Sequence, residues 1–155
     1  MKKLIIILAS AILLISLNSA QAQIGKVPSD VTEAFKVKYP DTKNVEWKDK
    51  VSYFQANFEM KGEKYESKFN SKGEFLGSEK VIKKEQAPAA VKDGLAKSKF
   101  SDWEIKSVTW VEKKDLTINY RYFIRKSGVE KKYLTFDDTG KLVKDRFNFK
   151  ILKVQ

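Results

Sequence analysis

The chain contains no cysteine and no histidine among its 155 residues. It can therefore form no disulfide, no thiolate nucleophile, no Cys/His zinc site and no Ser-His-Asp triad. Carboxylate-only and Ser-Lys enzymes remain possible, although no spacing of Asp and Glu singles out an acid/base pair. The hydrophobic share of 42% and the charged share of 33% are those of an ordinary globular protein. Without disulfides, its stability has to come from its core.

Residues 1–22 have the pattern of a secretory signal peptide. Two lysines precede an apolar run at 4–17, and Ala20-Gln21-Ala22 places small residues at the −3 and −1 positions of a cleavage site. An uncleaved membrane anchor is the alternative, but a run of 14 residues is shorter than the roughly 20 that a spanning helix needs. We therefore expect cleavage after Ala22 and a soluble periplasmic protein that starts at Gln23, with no stable membrane insertion.

Three short motifs occur twice, in the same order, in the remaining chain. The separation between the copies grows along the chain, as expected if the second copy has longer loops between the same elements. The pairs are Val27-Pro28 with Ala87-Pro88, Val45-Glu46-Trp47 with Val108-Thr109-Trp110, and Phe69-Asn70-Ser71-Lys72-Gly73 with Phe136-Asp137-Asp138-Thr139-Gly140. This order predicts an internal duplication.

The first copy begins with the pattern of an amphipathic helix. Pro28 suits the first helical turn, where a missing N–H costs nothing. Val31 and Phe35 follow one turn apart on one face. The helix is expected to end at Tyr39, because a residue that precedes a proline is pushed out of the α region.

The second copy also begins with a helical pattern. Pro88 is expected to start this helix, and Val91 and Leu95 form its apolar pair. Gly94 lowers its intrinsic stability by about 1 kcal/mol relative to alanine, so the helix is expected to depend on the sheet beneath it.

After each helix the apolar period changes from 3.6 to 2, which predicts antiparallel strands with one covered and one wetter face. The side chains expected to face the helices are Phe54, Ala56, Phe58 and Met60 in the first copy, and Leu116, Ile118, Tyr120, Tyr122 and Ile124 in the second. Phe58 and Tyr122 are expected to lie beneath their helices, near Phe35 and Leu95. The last strand is expected to extend through Phe147, Phe149 and Ile151.

The sequence thus predicts an α+β fold that is a tandem duplication. Each unit would consist of a helix plus a four-stranded antiparallel sheet. The first unit is expected at 23–83 and the second at 84–155, and the polar stretch 80–86 would join them.

These motifs resemble those of the PepSY-like, β-lactamase-inhibitor-like domain of Gram-negative envelope proteins. The resemblance covers about residues 26–146 and rests on the paired motifs above together with Tyr39-Pro40. Phe100-Ser101 stands where the second copy would carry its Tyr-Pro pair. The resemblance implies two αβ4 units side by side, with sheets that form a curved surface and helices behind. It also implies no enzyme activity and no cofactor, but it does not imply inhibition of a β-lactamase, because fold does not fix function.

The candidate binding surface is the wetter face of the two amphipathic strands. Aromatic, amide and arginine side chains alternate there with the apolar ones, a composition enriched at protein interfaces. An ordinary solvated strand face is the alternative. The candidate residues are Tyr53, Gln55 and Asn57 in the first copy and Asn119, Arg121 and Phe123 in the second.

Other motifs have structural interpretations. The segment that starts at Asp137 has two adjacent carboxylates but lacks the further ligands of a calcium loop, so we expect a hairpin turn and no metal site. Trp47 and Trp110 could stack on a ligand, but we expect them to pack in the core or between the units, whereas Trp103 has no counterpart in the first copy. The pairs Lys83-Lys84, Lys113-Lys114 and Lys131-Lys132 are scattered, which is typical of a solvated surface.

Two functions remain after these considerations. The leading hypothesis is an exported, non-catalytic binding module that holds an envelope protein or peptide on its open sheet surface. The alternative is a cationic envelope protein that binds anionic glycan or lipid, because the net charge is +11 for the whole chain. Nucleic acid is not an expected partner outside the cytoplasm.

Overall fold

The computed structural model describes residues 27–127 and 130–147. The two helices are α1 (Ser29–Lys38) and α2 (Ala89–Ala96). The first four strands are β1 (Lys43–Lys50), β2 (Tyr53–Met60), β3 (Glu63–Phe69) and β4 (Phe75–Ile82). The other four are β5 (Glu104–Lys113), β6 (Ile118–Lys126), β7 (Glu130–Asp137) and β8 (Leu142–Phe147), and a 3-10 turn at Lys84–Gln86 precedes α2.

The eight strands form one continuous antiparallel sheet in chain order. β4 pairs with β5 from Gly77 opposite Lys113 to Ile82 opposite Val108. The predicted tandem of units, each with its own four-stranded sheet, is therefore wrong, although the α+β class is right. Two separate sheets would have left the backbone N–H and C=O groups of β4 and β5 as unpaired edges, and pairing the two strands removes both edges.

The stretch expected to join two units is also different. Residues up to Ile82 belong to β4, which pairs with β3 on one side and with β5 on the other. Only the short segment around the 3-10 turn connects β4 to α2.

Both helices pack on the same face of the sheet. Where β4 meets β5, Lys80 lies opposite Trp110 and Ile82 lies opposite Val108. Side chains of directly opposed residues point to the same face of a sheet. The face that carries the core under α1 therefore continues across the β4–β5 pairing into the face that carries the core under α2. The opposite face has no helix over it within the described residues.

The core under α1 is rich in aromatic rings. Val31 and Phe35 are buried on the inner side of α1, as their spacing predicts. The ring of Phe58 lies 5.0 Å from that of Phe35 and 4.7 Å from that of Tyr39. Trp47 packs against the same cluster, with its ring 5.3 Å from Phe35, so its predicted core role is confirmed.

The core under α2 is more aliphatic. Val91 and Leu95 are buried and belong to one cluster with Tyr122, Leu134 and Phe136, together with Ile124 and Val108. Tyr122 is only 1% exposed. The predicted positions of Phe58 beneath α1 and Tyr122 beneath α2 are both confirmed.

Lys80 connects the two cores. Its ammonium group donates hydrogen bonds to Glu63 and, over 2.9 Å, to the hydroxyl of Tyr65. It also lies 5.5 Å from the ring of Trp110, which contacts Tyr65 edge-on. The hydrogen bond from Lys80 holds the pKa of Glu63 below its ordinary value. A partly buried cation between these rings is tolerated because a carboxylate and a hydroxyl accept its hydrogen bonds.

A hairpin loop packs closely against the backbone of each helix. Gly73, between β3 and β4, approaches the backbone of Asp30 in α1, and Gly140, between β7 and β8, approaches the backbone of Ala90 in α2. Both glycines have positive φ, +77° and +86° respectively. Gly94 of α2 lies against the carbonyl of Gly140. Glycine at this position weakens the isolated helix, but it leaves the room that the β7–β8 loop needs to contact α2.

The loop that begins at Asp137 is a hairpin turn, as expected. One carboxylate oxygen of Asp137 accepts hydrogen bonds from the backbone N–H groups of Thr139 and Lys141, at 3.1 and 3.0 Å. The hydroxyl of Thr139 donates a further bond, and these contacts lower the pKa of Asp137. The carboxylate therefore organises its own loop.

The sequence-based expectations at the chain ends lie outside the described residues. These are the signal peptide at 1–22, the N-terminus at Gln23 and the continuation of the last strand through Phe149 and Ile151. Within the described residues, neither helix has the length and apolar character required to cross a bilayer. Leu116, expected on a strand, precedes β6 with a φ of +64° and is exposed.

Candidate binding surface

All six candidate residues lie on the sheet face opposite the helices, which we call the open face. They form two groups, one on β2 and one on β6. Three strands separate the groups, so at about 4.8 Å per strand spacing they stand roughly 19 Å apart. The structure therefore places them on one surface but does not bring them into a single cluster.

The group on β2 is partly engaged in internal contacts. Gln55 is buried, with 7% of its surface exposed, and its side-chain amide donates a 2.9 Å hydrogen bond to the side-chain oxygen of Asn57. Tyr53 is half-buried, and the ammonium group of Lys68 lies 5.9 Å from its ring centre. Tyr53 is thus the member of this group with a large ring available at the surface.

The group on β6 contacts residues on both sides of its strand, on β7 and on β4. Phe123 stacks on Tyr133 of β7, with ring centres 4.9 Å apart and planes tilted by 26°. Arg121 donates to the carboxylate of Glu79 on β4, across the intervening strand β5. Asn119 is nearly buried at 9% exposure. The guanidinium of Arg121, expected to be available for a partner's carboxylate, already has one within the protein.

An ionic chain links the two groups. Glu79 also lies 3.6 Å from the ammonium group of Lys68, which in turn lies 3.1 Å from Glu66. Burial alone lowers the pKa of Lys68, but the hydrogen bond to Glu66 and the two negative charges outweigh it, so its pKa lies above the ordinary value. Alternating charges along β3 and β4 therefore connect Arg121 to the neighbourhood of Tyr53.

The sequence-based selection missed the residues of this ionic chain. Glu66, Lys68 and Glu79 alternate with buried residues on β3 and β4. This alternation could have indicated that they lie on the open face. The predicted surface includes only β2 and β6, the two strands whose sequences alternate most clearly. Which further strands lie between them depends on sheet order, and alternation within a strand does not report it.

A broad groove of about 930 Å³ lies along the ionic chain. Its lining combines carboxylates, including Glu46, Glu59 and Glu79, with cations that include Lys64 and Arg121. The lining thus carries both signs of charge in similar number. A groove of this kind can accept polar segments of either sign by local pairing.

A second groove, of about 600 Å³, lies over β5 to β8. Its cations are Lys113, Arg121, Lys144 and Arg146, and Tyr133 supplies a ring. Among the described residues that line it there is no carboxylate. The two grooves share Arg121 and differ in charge.

The three lysine pairs do not form one patch. Lys83, Lys84, Lys113 and Lys114 are exposed, as expected. Lys132 is instead buried, at 7% exposure, and its ammonium group contacts the carboxylate of Asp145 at 2.9 Å. In the part of the chain that the structure describes, no group of three or more Asp or Glu side chains is placed to hold a metal ion.

We expect Glu79→Gln to lower the free energy of unfolding by about 1 kcal/mol at low ionic strength, because Arg121 and Lys68 then lose their shared counter-charge. The loss should shrink between roughly 0.05 and 0.5 M salt, since these side chains are partly exposed and screened. Urea titrations at both salt concentrations measure it. Glu59→Gln is the control, an exposed carboxylate on the same face, and an equal loss in the control would contradict the role of the ionic chain.

Comparisons with known proteins identify the fold. No family model matches the chain, and no curated protein matches it. A DUF2874 family protein from Bacteroides uniformis is similar at 25% identity and a TM-score of 0.72, over 77% of this chain and 88% of that one. A predicted periplasmic protein from Bacteroides eggerthii is similar at 26% identity and a TM-score of 0.71, over 79% and 90%.

A BLIP-like protein from Bacteroides fragilis also has the same fold, with 21% identity and a TM-score of 0.74 over 83% of this chain and 92% of that one. BLIP-like here denotes a likeness to the β-lactamase-inhibitor fold. These similarities show a BLIP-like α+β fold, which in the described residues has one eight-stranded sheet.

Proposed function

We propose that this protein is an exported, non-catalytic binding module that holds an envelope protein or peptide on the open face of its sheet. The observation that carries the proposal is the asymmetry of the sheet. Both helices cover one face, while the other carries a groove of about 930 Å³ bordered by charged side chains. Tyr53, Arg121 and Phe123 lie on the same open face, and aromatic and arginine side chains are the residue types that dominate binding energy in interfaces.

Similar proteins support the location and the class. The related structure from Bacteroides eggerthii is a predicted periplasmic protein, and another similar structure is BLIP-like. We infer a periplasmic location for this chain from that similarity and from the signal-peptide pattern of residues 1–22. We also infer kinship with PepSY-like domains, on the Val27-Pro28 and Tyr39-Pro40 motifs.

The exported protein should have the mass of residues 23–155, because cleavage is expected after Ala22. Intact-mass spectrometry of the protein from the periplasmic fraction measures this. Changing Ala20 and Ala22 to bulky residues should block cleavage and serves as the control. A periplasmic protein that retains residues 1–22 would contradict the expected cleavage.

Binding energy on the open face should concentrate in its large side chains. Replacing Tyr53 and Phe123 with alanine should greatly reduce capture of the envelope partner, because rings supply large contact area at low entropic cost. Arg121→Ala should reduce capture as well, and by less, since the guanidinium is already paired with Glu79. Affinity capture from the native envelope fraction, quantified for each variant, is the measurement.

Neutralising four exposed lysines is the matched control. The variant with alanine at Lys83, Lys84, Lys113 and Lys114 should capture the same partner nearly as well at physiological salt. Unfolding titrations of the lysine variant check for a folding defect, and its stability should change by no more than about 0.5 kcal/mol, as is usual for surface changes. If the lysines dominate capture and the rings do not, the alternative function, electrostatic binding of anionic glycan or lipid, replaces this one.

A further inference from the structure

The charge of the open face is divided between its two halves. Over β1 to β4 the carboxylates Glu46, Glu66 and Glu79 each lie within 4 Å of a cation of the protein. Over β5 to β8, Lys113, Lys144 and Arg146 take part in no ion pair within the described residues. The second groove therefore combines three cations that have no ion pair with a lining that contains no carboxylate among the described residues.

The spacing of these cations follows the strand period. Lys144 and Arg146 are two residues apart on β8, so they point to the same face and repeat at about 6.7 Å. Lys144 lies opposite Thr135, and Arg146 lies opposite Tyr133, whose ring stacks on Phe123. The groove thus combines two cations at the strand period with a flat aromatic surface beside them.

The carboxylates near Lys144 and Arg146 are engaged elsewhere. Asp137, which pairs with Asn119 in the sheet, directs its carboxylate to its own loop, as described above. Glu79 is shared between Arg121 and Lys68. An acidic partner would supply the complementary negative charges.

We propose that the second groove binds an extended acidic peptide segment whose carboxylates occur at alternate residues. In an extended chain, alternate side chains lie on one side and repeat at about the same 6.7 Å as Lys144 and Arg146. An arginine binds a carboxylate through two parallel hydrogen bonds, which favours this geometry at Arg146. The rings of Tyr133 and Phe123 would contact the apolar parts of the segment. This proposal rests on the proposed function and names the chemistry of the partner.

The test uses the exported protein and three probes. The first is a fluorescent peptide with glutamate at alternate positions, and the second has the same composition with its glutamates in one block. Vesicles rich in phosphatidylglycerol are the third probe and represent an anionic lipid surface. The variant combines Lys144→Glu with Arg146→Glu. Its control combines Lys83→Glu with Lys84→Glu, which changes the net charge equally at exposed positions outside the groove.

The alternating peptide should bind more tightly than the block peptide, as measured by fluorescence anisotropy. The groove variant should weaken this binding by about tenfold or more, and the control by no more than about twofold. Equal binding of the two peptides, or equal weakening by both variants, would overturn the proposal in favour of a diffuse field effect. Vesicle binding that depends on Lys144 and Arg146, without peptide binding, would overturn it in favour of a lipid surface.

Failure here can be distinguished from failure of the proposed function. If Tyr53→Ala and Phe123→Ala abolish partner capture while the acidic peptides do not bind, the binding module stands and its partner is not an alternating acidic segment. If capture does not depend on the open face at all, the proposed function fails, whatever the peptides do.

Discussion

Replacing Gly140 with alanine should lower the free energy of unfolding by about 3 kcal/mol or more, although the change adds a single methyl group. Two effects combine at this position. The φ of +86° is one that a residue with a Cβ rarely adopts. The new Cβ would also meet the carbonyl group of Ala90 well inside 3.0 Å. The Ala90 carbonyl belongs to the backbone and the Cβ is fixed rigidly to the backbone of residue 140, so neither can move away without separating the loop from α2.

Gly62→Ala is the matched control for this prediction. Gly62 has a similar φ of +76°, but a Cβ there would have no neighbour within 4 Å. Its substitution should therefore cost only the conformational part, about 1 kcal/mol. Urea unfolding of both variants gives the difference. Equal losses in the two variants would mean that the loop does not need its close contact with α2.

Phe58→Ala should lower the free energy of unfolding by about 3–5 kcal/mol, the range for large core truncations. Phe58 is 5% exposed and its ring is surrounded by those of Phe35, Tyr39 and Tyr65. Removal of the ring leaves a cavity lined by other rings and by α1, which a rigid aromatic cluster fills poorly. Denaturant titration monitored by tryptophan fluorescence reports the change, because Trp47 packs in the same cluster.

Phe123→Ala is the control for the core truncation. Phe123 loses only its stacking on Tyr133 on the open face, so its substitution should cost about 1 kcal/mol. A cost below about 1 kcal/mol for Phe58→Ala would contradict the packing of β2 beneath α1. The same pair of variants separates stability from binding, because Phe58 lies on the helix face and Phe123 on the candidate surface.

Several features of the candidate surface depend on tertiary contacts, which the alternation of residues along one strand does not predict. Alternation along β6 correctly placed Arg121 on the face opposite the helices. It could not show that Glu79, two strands away, would accept a hydrogen bond from its guanidinium. Lys132 is a similar case, since its neighbour Lys131 and its charge indicate a surface residue, whereas Asp145 on β8 allows it to be buried. Whether the six candidate residues bind a partner stays a prediction.

The sequence by itself determined the elements and their inward faces. Apolar residues at a period of 3.6 place Val31 and Phe35 on the inner side of α1, and a period of 2 places Phe58 and Tyr122 beneath the helices. These patterns are local, because a side chain's face follows from its position along a helix or strand. Turn chemistry at Asp137 is local for the same reason.

Only the tertiary structure decided how the strands join and why Gly94 stands in a helix. The pairing of β4 with β5 is made by backbone groups that every residue type carries, so side-chain patterns do not distinguish one eight-stranded sheet from two four-stranded ones. Helix propensity counts Gly94 as a defect, yet a Cβ there would collide with the carbonyl of Gly140. Both features depend on contacts between residues distant in the chain, and such contacts form only when the whole sheet and its helices are assembled.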